Sequence, residues 1–190
     1  MAGARLLLIR HGATALSEAR RYCGRSDPPL SPEGRAQAVA LGPRLGAERF
    51  AAVVASDRTR ALETARLALP GRPVAPDPDW REMDFGRWEG WTHDEVVARD
   101  PEGAARFMAA RFETPARGGE SAADVCRRVR RAADRVVAAH PGGTVAVFTH
   151  GGPAALLRAL AAGADPTGFD AFALAVADVA SVAWPPAGPA

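Results

Sequence analysis

The sequence predicts a three-layer α/β/α fold with a mostly parallel central sheet. Two continuous apolar runs, "LLLI" at residues 6–9 and "VAVF" at residues 145–148, alternate with longer segments of helical period. This alternation is typical of strands joined by helical crossovers. A chain of 190 residues with 47% hydrophobic residues is long enough for one well-buried core. We therefore expect a single domain at residues 1–184, followed by a disordered tail at residues 185–190.

The first five predicted elements follow one another with clear boundaries. A strand is predicted at residues 4–9. The tripeptide "SPE" supplies an N-cap with proline at the first helical position, which predicts a helix over residues 31–45. "FAAVVAS" predicts a buried strand at residues 50–56, and a helix follows over residues 58–67. "LPGRPVAPDPDW" is too rich in proline and glycine for more than an edge strand near residues 73–75.

Helical signals dominate the middle of the chain. Thr92 and Glu95 can form a capping box for a short helix, and another helix is predicted near residues 102–112. Ser121 with Asp124 then caps a long helix. Its apolar stripe recurs at spacings of three and four and consists of Val125, Val129, Ala132, Val136 and Ala139. Its arginines are expected to form a solvated face, namely Arg127, Arg128, Arg130, Arg131 and Arg135.

The last part of the chain is expected to complete the sheet. "PGG" at residues 141–143 ends the long helix, and "TVAVFTHGG" supplies a second fully apolar strand. "AALLRALAA" predicts the next helix. Two alternating segments, at about residues 171–177 and 179–184, are predicted to be the closing strands.

Composition and charge narrow the classes of partner. The net charge of +2 gives no reason to expect a nucleic-acid or membrane partner. Cys23 and Cys126 have neither metal nor redox spacing, which suits a reduced interior. "MAGARLLLIR" has too short an apolar run for a signal peptide, and no stretch approaches the roughly 20 apolar residues of a membrane helix. We expect a cytoplasmic protein, and the sequence leaves open whether it forms a homodimer.

Polar side chains follow three of the predicted strands, at the point where each strand ends. In an open α/β sheet the ligand crevice lies beyond the carboxyl ends of the parallel strands. If these strands are neighbours, two imidazoles and two or three guanidiniums face one small volume, which is costly unless an anion sits between them. The residues are Arg10-His11-Gly12, then Ser56 with Arg58 and Arg60, and Thr149-His150-Gly151-Gly152.

A phosphate group fits this set of side chains. Guanidinium forks match phosphate oxygens, and glycines let backbone N–H groups approach closely. Neighbouring arginines favour a neutral imidazole on His11, whose free ring nitrogen can attack phosphorus as a nucleophile. His11 or His150 taken alone is more simply explained as a polar residue at a strand boundary. Their joint appearance favours a site, whereas His93 and His140 lack that setting and are expected on the surface.

Five segments in order along the chain carry further motifs: "LIRHGAT" near the start, "SDRTRALETA" at 56–65, "REMDFGRWEG" at 81–90, "RGGES" at 117–121 and "VFTHGG" at 147–152. Together they resemble the successive motifs of the histidine phosphatase superfamily, which has the phosphoglycerate-mutase-like fold. The resemblance covers nearly the whole chain.

The resemblance implies a role for each residue that matches a motif. His11 matches the phosphorylated nucleophile, and Arg10 matches its neighbouring phosphate ligand. Arg60 is the arginine of the S-x-x-x-R-A pattern. His150 matches the second histidine, which donates to the phosphoryl oxygens. Glu82 matches the acid that protonates the leaving oxygen.

Other positions are second choices or substrate contacts. Asp84 is the alternative proton donor, because other branches of the superfamily use Asp, and Arg58 is the alternative phosphate arginine. The chain also departs from the family, since Ser17 stands where relatives carry Asn, and Cys23 where many carry Gln or Thr. The expected substrate-binding residues besides Arg10 and Arg60 are Gly151, Ser17, Cys23 and Gly24.

The resemblance implies a phosphomonoesterase that acts on a small phosphorylated metabolite through a phosphohistidine intermediate, without a metal or cofactor. α-Ribazole phosphate is one candidate substrate, because "FGRWEG" and "RGGES" are similar to segments of α-ribazole-phosphate phosphatases. A cofactor-dependent phosphoglycerate mutase is the first alternative, although Met83 stands where mutases carry Arg after the catalytic Glu. A noncatalytic phosphate-binding protein is the second alternative.

Overall fold

The computed structural model describes residues 3–186, which contain one five-stranded sheet. The strands, in chain order, are β1 (Ala4–Arg10), β2 (Ala52–Ala55), β3 (Ala75–Pro76), β4 (Thr144–Thr149) and β5 (Val179–Trp184). In space they lie in the order β3-β2-β4-β1-β5. The first four run parallel, and β5 pairs with β1 in the antiparallel direction. The predicted mostly parallel α/β/α fold is therefore confirmed.

Helices connect the strands. The α-helices are α1 (Ala15–Glu18), α2 (Pro32–Leu45), α3 (Thr59–Ala68), α4 (His93–Arg99), α5 (Pro101–Ala110), α6 (Ala122–Ala139) and α7 (Gly151–Ala161). Three 3-10 helices lie at Pro78–Trp80, Gly86–Trp88 and Pro166–Phe172. Ser31 caps α2, and capping boxes at Thr92 and Ser121 open α4 and α6, as the sequence predicted.

The sheet buries a separate apolar cluster on each face. Leu7 and Ile9 of β1 pack with residues of α2 and α3. Leu6 and Leu8 of the same strand belong to a larger cluster with residues of α4, α5, α6 and α7. Since successive side chains of a strand point to opposite faces, the sheet forms the middle of three layers.

The register of the sheet determines where the site forms. Arg10, the last residue of β1, lies opposite Thr149 of β4, and Ala55 of β2 lies opposite Phe148 of β4. The carboxyl ends of β2, β4 and β1 are therefore side by side. The residues that follow these strands meet at one edge of the sheet.

Several predicted elements differ from the structure. Residues 171–177 are not a strand. The 3-10 helix that Asp165 caps runs through Phe172, and the next carbonyls accept from arginine side chains, those of Phe172 and Ala173 from Arg158 and that of Leu174 from Arg10. The four-residue helix α1 was not predicted, being too short for a periodic pattern. Ala139, assigned to the apolar stripe of α6, is exposed. Of the predicted tail, residues 187–190 lie outside the described residues.

Candidate active site

His11, directly after β1, is only 6% exposed. Its Nδ1 lies 2.7 Å from the Gly12 carbonyl oxygen. Since a carbonyl can only accept, Nδ1 carries the proton and the Nε2 lone pair is left for an electrophile. Burial is the largest cause and the positive charge of Arg60 is the second, and together they lower the pKa of His11 to about 3. The hydrogen bond to Gly12 raises this pKa and the charge of Arg10 lowers it, both by smaller amounts. His11 is therefore a neutral imidazole at physiological pH.

His150, directly after β4, is fully buried beside His11. The two ring centroids lie 4.9 Å apart. Arg60 Nε donates to His150 Nδ1 at 3.2 Å, so Nε2 carries the proton and donates to Ser56 Oγ at 2.8 Å. Burial and then the charge of Arg60 hold the pKa of His150 well below its usual range. Before His150 can donate from Nδ1 to a phosphoryl oxygen, that nitrogen must gain a proton and Arg60 Nε must find another acceptor.

Arg60, on the first turn of α3, is fully buried between the two histidines and a loop. Besides His150, its guanidinium donates to the carbonyl oxygens of Ser26 at 2.8 Å, Cys23 at 3.0 Å and Gly24 at 3.2 Å. Most of its N–H groups thus hold the segment 23–26 in place. The structure therefore gives Arg60 a positioning contact that sequence reasoning, which assigned its fork to phosphate oxygens, did not anticipate.

Arg10 supplies a donor that has no protein acceptor. Its Nη1 donates to the Leu174 carbonyl at 2.8 Å, while its buried Nε has no hydrogen-bond partner within residues 3–186. Its guanidinium lies over Gly151, where a Cβ would stand 3.3 Å from Cζ. Burial lowers the pKa of Arg10, and the nearby charge of Glu82 opposes that shift. An anionic oxygen would satisfy the unpaired N–H.

Glu82 lies on the loop before the 3-10 helix at Gly86–Trp88 and faces the start of α7. Its carboxylate accepts from the N–H groups of Met83 at 2.9 Å and Gly152 at 3.2 Å. A Cβ at Gly152 would lie 2.5 Å from Oε1, so the approach requires glycine. The alternative acid, Asp84, accepts instead from the Gly86 N–H at 2.7 Å and lines a neighbouring cavity, which Glu82 and Arg58 also border, but it does not line the cavity that contains His11. This placement favours Glu82 over Asp84 as the proton donor.

One cavity of about 300 Å³ joins several of the predicted residues. Its lining includes Arg10, His11, Ser17, Cys23 and Glu82, together with Thr14, Arg20, Arg21, Tyr22 and Phe85. The Ser17 hydroxyl already donates to the Thr14 carbonyl at 3.0 Å, and burial raises the pKa of the Cys23 thiol. Arg58 lies outside this lining.

Arg128 is a buried residue that sequence reasoning placed wrongly on the solvated face of α6. Its side chain is 10% exposed. It donates to the carbonyls of Asp79 at 2.9 Å, Arg81 at 2.6 Å and Glu82 at 3.0 Å, and to both carboxylate oxygens of Glu120 at 3.0 and 2.9 Å. Glu120 in turn accepts from the Asp84 N–H at 3.0 Å. The sequence held one signal that Arg128 is buried. Arg128 lies three residues after Val125 and four before Ala132, which places it on the apolar stripe of α6.

The fold and the site together place a buried, neutral imidazole beside two guanidiniums and a carboxylate at the carboxyl ends of parallel strands. The family model "Histidine phosphatase superfamily (branch 1)" matches residues 6–190. The chain belongs to the histidine phosphatase superfamily, as the sequence resemblance predicted.

Similar proteins include phosphatases named for different substrates. The chain is 46% identical over 160 residues to the bifunctional protein Rv2228c of Mycobacterium tuberculosis, covering 83% of this chain and 44% of that protein. It is 38% identical over 165 residues to a glucosyl-3-phosphoglycerate phosphatase of Mycolicibacterium vanbaalenii, covering 82% and 72%. A solved structure of a putative α-ribazole-5'-P phosphatase from Escherichia coli superposes with a TM-score of 0.88 at 30% identity, covering 95% and 90%. The chain thus spans less than half the length of the bifunctional relative it matches.

Proposed function

We propose that the chain is a phosphomonoesterase that acts on a small phosphorylated metabolite through a phosphohistidine intermediate. The observation that carries the proposal is the state of His11, which is neutral, has Nδ1–H fixed on the Gly12 carbonyl and keeps Nε2 free. It lines the same cavity as Glu82 and Arg10, whose buried Nε has no hydrogen-bond partner among the described residues.

In the first step, His11 Nε2 forms a bond to phosphorus as the bond between phosphorus and the ester oxygen breaks. The leaving oxygen takes a proton from Glu82, so an alcohol departs rather than an alkoxide. The Arg10 guanidinium stabilises negative charge on the phosphoryl oxygens. The step leaves a phosphorylated His11 and an ionised Glu82.

In the second step, water replaces the alcohol. Glu82, now ionised, accepts a proton from water while the water oxygen bonds to phosphorus and the bond to His11 Nε2 breaks. Inorganic phosphate leaves, His11 returns to its neutral form and Glu82 regains its proton. No redox partner or nucleotide is required by this balance.

The names of the relatives support a small phosphorylated substrate without selecting one. α-Ribazole phosphate is the finer proposal, supported by the likeness to the Escherichia coli structure. The glucosyl-3-phosphoglycerate phosphatase at 38% identity makes a phosphorylated sugar acid the competing candidate. A screen of α-ribazole phosphate, 3-phosphoglycerate and sugar phosphates decides between them.

Turnover of p-nitrophenyl phosphate tests the proposal. We expect hydrolysis that persists in excess EDTA and is lost in His11→Ala. Binding of phosphate without any turnover would contradict the proposal and favour the noncatalytic alternative. Conversion of 3-phosphoglycerate to its isomer, faster than release of inorganic phosphate, would favour the mutase. Activity lost in EDTA would contradict a metal-independent route.

The location and partners of the protein are a separate part of the proposal. None of the helices in residues 3–186 is both long and apolar enough to cross a membrane. We propose a cytoplasmic location without a nucleic-acid partner, on the basis of the small net charge and the metabolic relatives. Whether two copies associate stays a prediction, which light scattering at several protein concentrations tests.

A further inference from the structure

A second cleft opens beside the catalytic cavity and shares its wall. The cleft measures about 250 Å³. Arg10 and Glu82 line both spaces, and Gly151 and Gly152 also border the cleft. A group attached to the ester oxygen near Glu82 therefore has a direct way into this cleft. The inference below rests on the proposed phosphatase function.

The remainder of the cleft wall is mainly apolar and aromatic. Its larger side chains are Tyr22, Phe85, Phe107, Met108, Phe169 and Leu174. The rings of Tyr22 and Phe85 lie 4.5 Å apart between centroids, and Phe107 meets Trp88 edge to face at 5.2 Å. These contacts fix the ring planes before any ligand binds.

The polar groups away from the phosphoryl site already have partners. The Arg111 guanidinium stacks on the Phe169 ring at 4.4 Å and forms an ion pair with Asp170. The Tyr22 hydroxyl lies 3.4 Å from His93 Nδ1. A polyhydroxylated or carboxylated alcohol would lose its hydration here and would have to compete with these existing contacts, which costs free energy.

We infer that this cleft holds the alcohol portion of the substrate, and that this portion carries a planar apolar ring. A flat ring can stack against or meet the edges of the fixed aromatic side chains. Met108 is 54% exposed and borders the cleft, where its flexible thioether can close over the ring. The cleft thus selects aromatic esters over sugar acids.

Two esters with similar leaving groups test this inference. In 2-phenylethyl phosphate and ethyl phosphate the ring is not conjugated with the ester oxygen, so intrinsic reactivity differs little. We expect kcat/KM to be at least about tenfold higher for 2-phenylethyl phosphate, since even one methylene in an apolar pocket changes this ratio by about 10- to 200-fold. We expect 3-phosphoglycerate to be no better than ethyl phosphate.

Met108→Ser, with Val39→Ser as its matched control, assigns the selectivity to the cleft. Val39 is 56% exposed on α2, on the opposite face of the sheet. We expect the ratio of kcat/KM for the two esters to fall several-fold in Met108→Ser and to stay unchanged in Val39→Ser. If the ratio of kcat/KM is unchanged in Met108→Ser and 2-phenylethyl phosphate still inhibits the turnover of ethyl phosphate, the ring binds elsewhere. That result would overturn the inference.

Failure of the inference is distinguishable from failure of the proposed function. Equal kcat/KM for both esters, with both activities lost in His11→Ala, would overturn the cleft assignment and leave the phosphatase intact. No turnover of any ester would overturn the phosphatase itself. Equal kcat/KM combined with dimerisation that Met108→Ser abolishes would assign the cleft to contact with a second copy, and would also overturn the inference.

Discussion

The two sides of the candidate site are held in place by different means. His11 and His150 follow directly on neighbouring parallel strands, and the ladder between β1 and β4 sets their separation. Glu82 lies on an irregular loop, whose carbonyls are held by the guanidinium of Arg128 from α6. The position of the proposed nucleophile therefore depends on sheet register, whereas the position of the proposed acid depends on the contacts that hold a loop. Loss of the His11 imidazole should slow the turnover of every substrate. The effect of losing the Glu82 carboxyl group should depend on the leaving group.

The largest effect is expected for His11→Ala. Without the nucleophile, kcat/KM should fall by at least about 1000-fold. The fall should be similar for p-nitrophenyl phosphate and ethyl phosphate, because both require the same attack on phosphorus. Initial rates on the two esters measure this, with a urea titration to verify folding. A loss confined to ethyl phosphate would contradict the assignment.

Glu82→Gln should have a smaller and selective effect. The amide cannot donate a carboxylic proton, so kcat/KM for ethyl phosphate, which reports the first step only, should fall by about 100- to 10,000-fold. p-Nitrophenolate leaves without protonation, and its ester should lose much less. Asp84→Asn serves as the control, because its carboxylate only accepts from the Gly86 N–H. If Asp84→Asn shows the selective loss instead, Asp84 is the acid.

Arg128→Met should have an intermediate effect, with Arg130→Met on the exposed face of the same helix as its control. Three loop carbonyls and the Glu120 carboxylate lose their donor, so the loop that carries Glu82 loosens. A displacement of about 1 Å can cost roughly 100-fold in rate. We expect kcat/KM for ethyl phosphate to fall more than kcat/KM for p-nitrophenyl phosphate. Equal falls for both esters would reduce Arg128 to a purely structural residue.

The sequence predicted which residues lie together where the apolar pattern of a strand and the topology of the sheet lead to the same position. His11 and His150 each follow a continuous apolar strand, so the rule that ligands bind at carboxyl ends of parallel strands was enough to bring them together. Arg128 was missed because five arginines on one helix resemble a solvated face, and only its position on the stripe distinguishes it. The carbonyls that hold Arg60 lie in a loop, whose backbone path no periodic pattern reveals. Residues 171–177 alternate like a strand, but the cap at Asp165 favours a 3-10 helix.

The pH dependence of stability should be the smallest effect. Burial lowers the pKa of both imidazoles below the unfolded value of about 6.5, so at acid pH the unfolded chain binds protons that the folded chain does not. Stability is therefore fully present above pH 6.5 and falls as the pH decreases toward the folded pKa, which is about 3 for His11. Between pH 6.5 and 5 the His11 imidazole should remove about 1.5 kcal/mol of stability, and His150 should act in the same direction.

Urea titrations at these two pH values measure the effect. In His11→Ala the change in unfolding free energy between these pH values should be about 1.5 kcal/mol smaller than in the parent protein. An unchanged difference between pH 6.5 and 5 in this variant would show that His11 titrates normally in the folded state, contrary to its buried position.

The identity of the phosphorylated nitrogen tests the central claim most directly. Turnover of a phosphate ester is quenched in base, and the trapped protein is analysed by ³¹P NMR and by peptide mass spectrometry. Because Nδ1 of His11 is committed to the Gly12 carbonyl, the phosphoryl group is predicted on Nε2 of residue 11. Phosphate on Nδ1, on His150, or on no histidine at all would contradict the account.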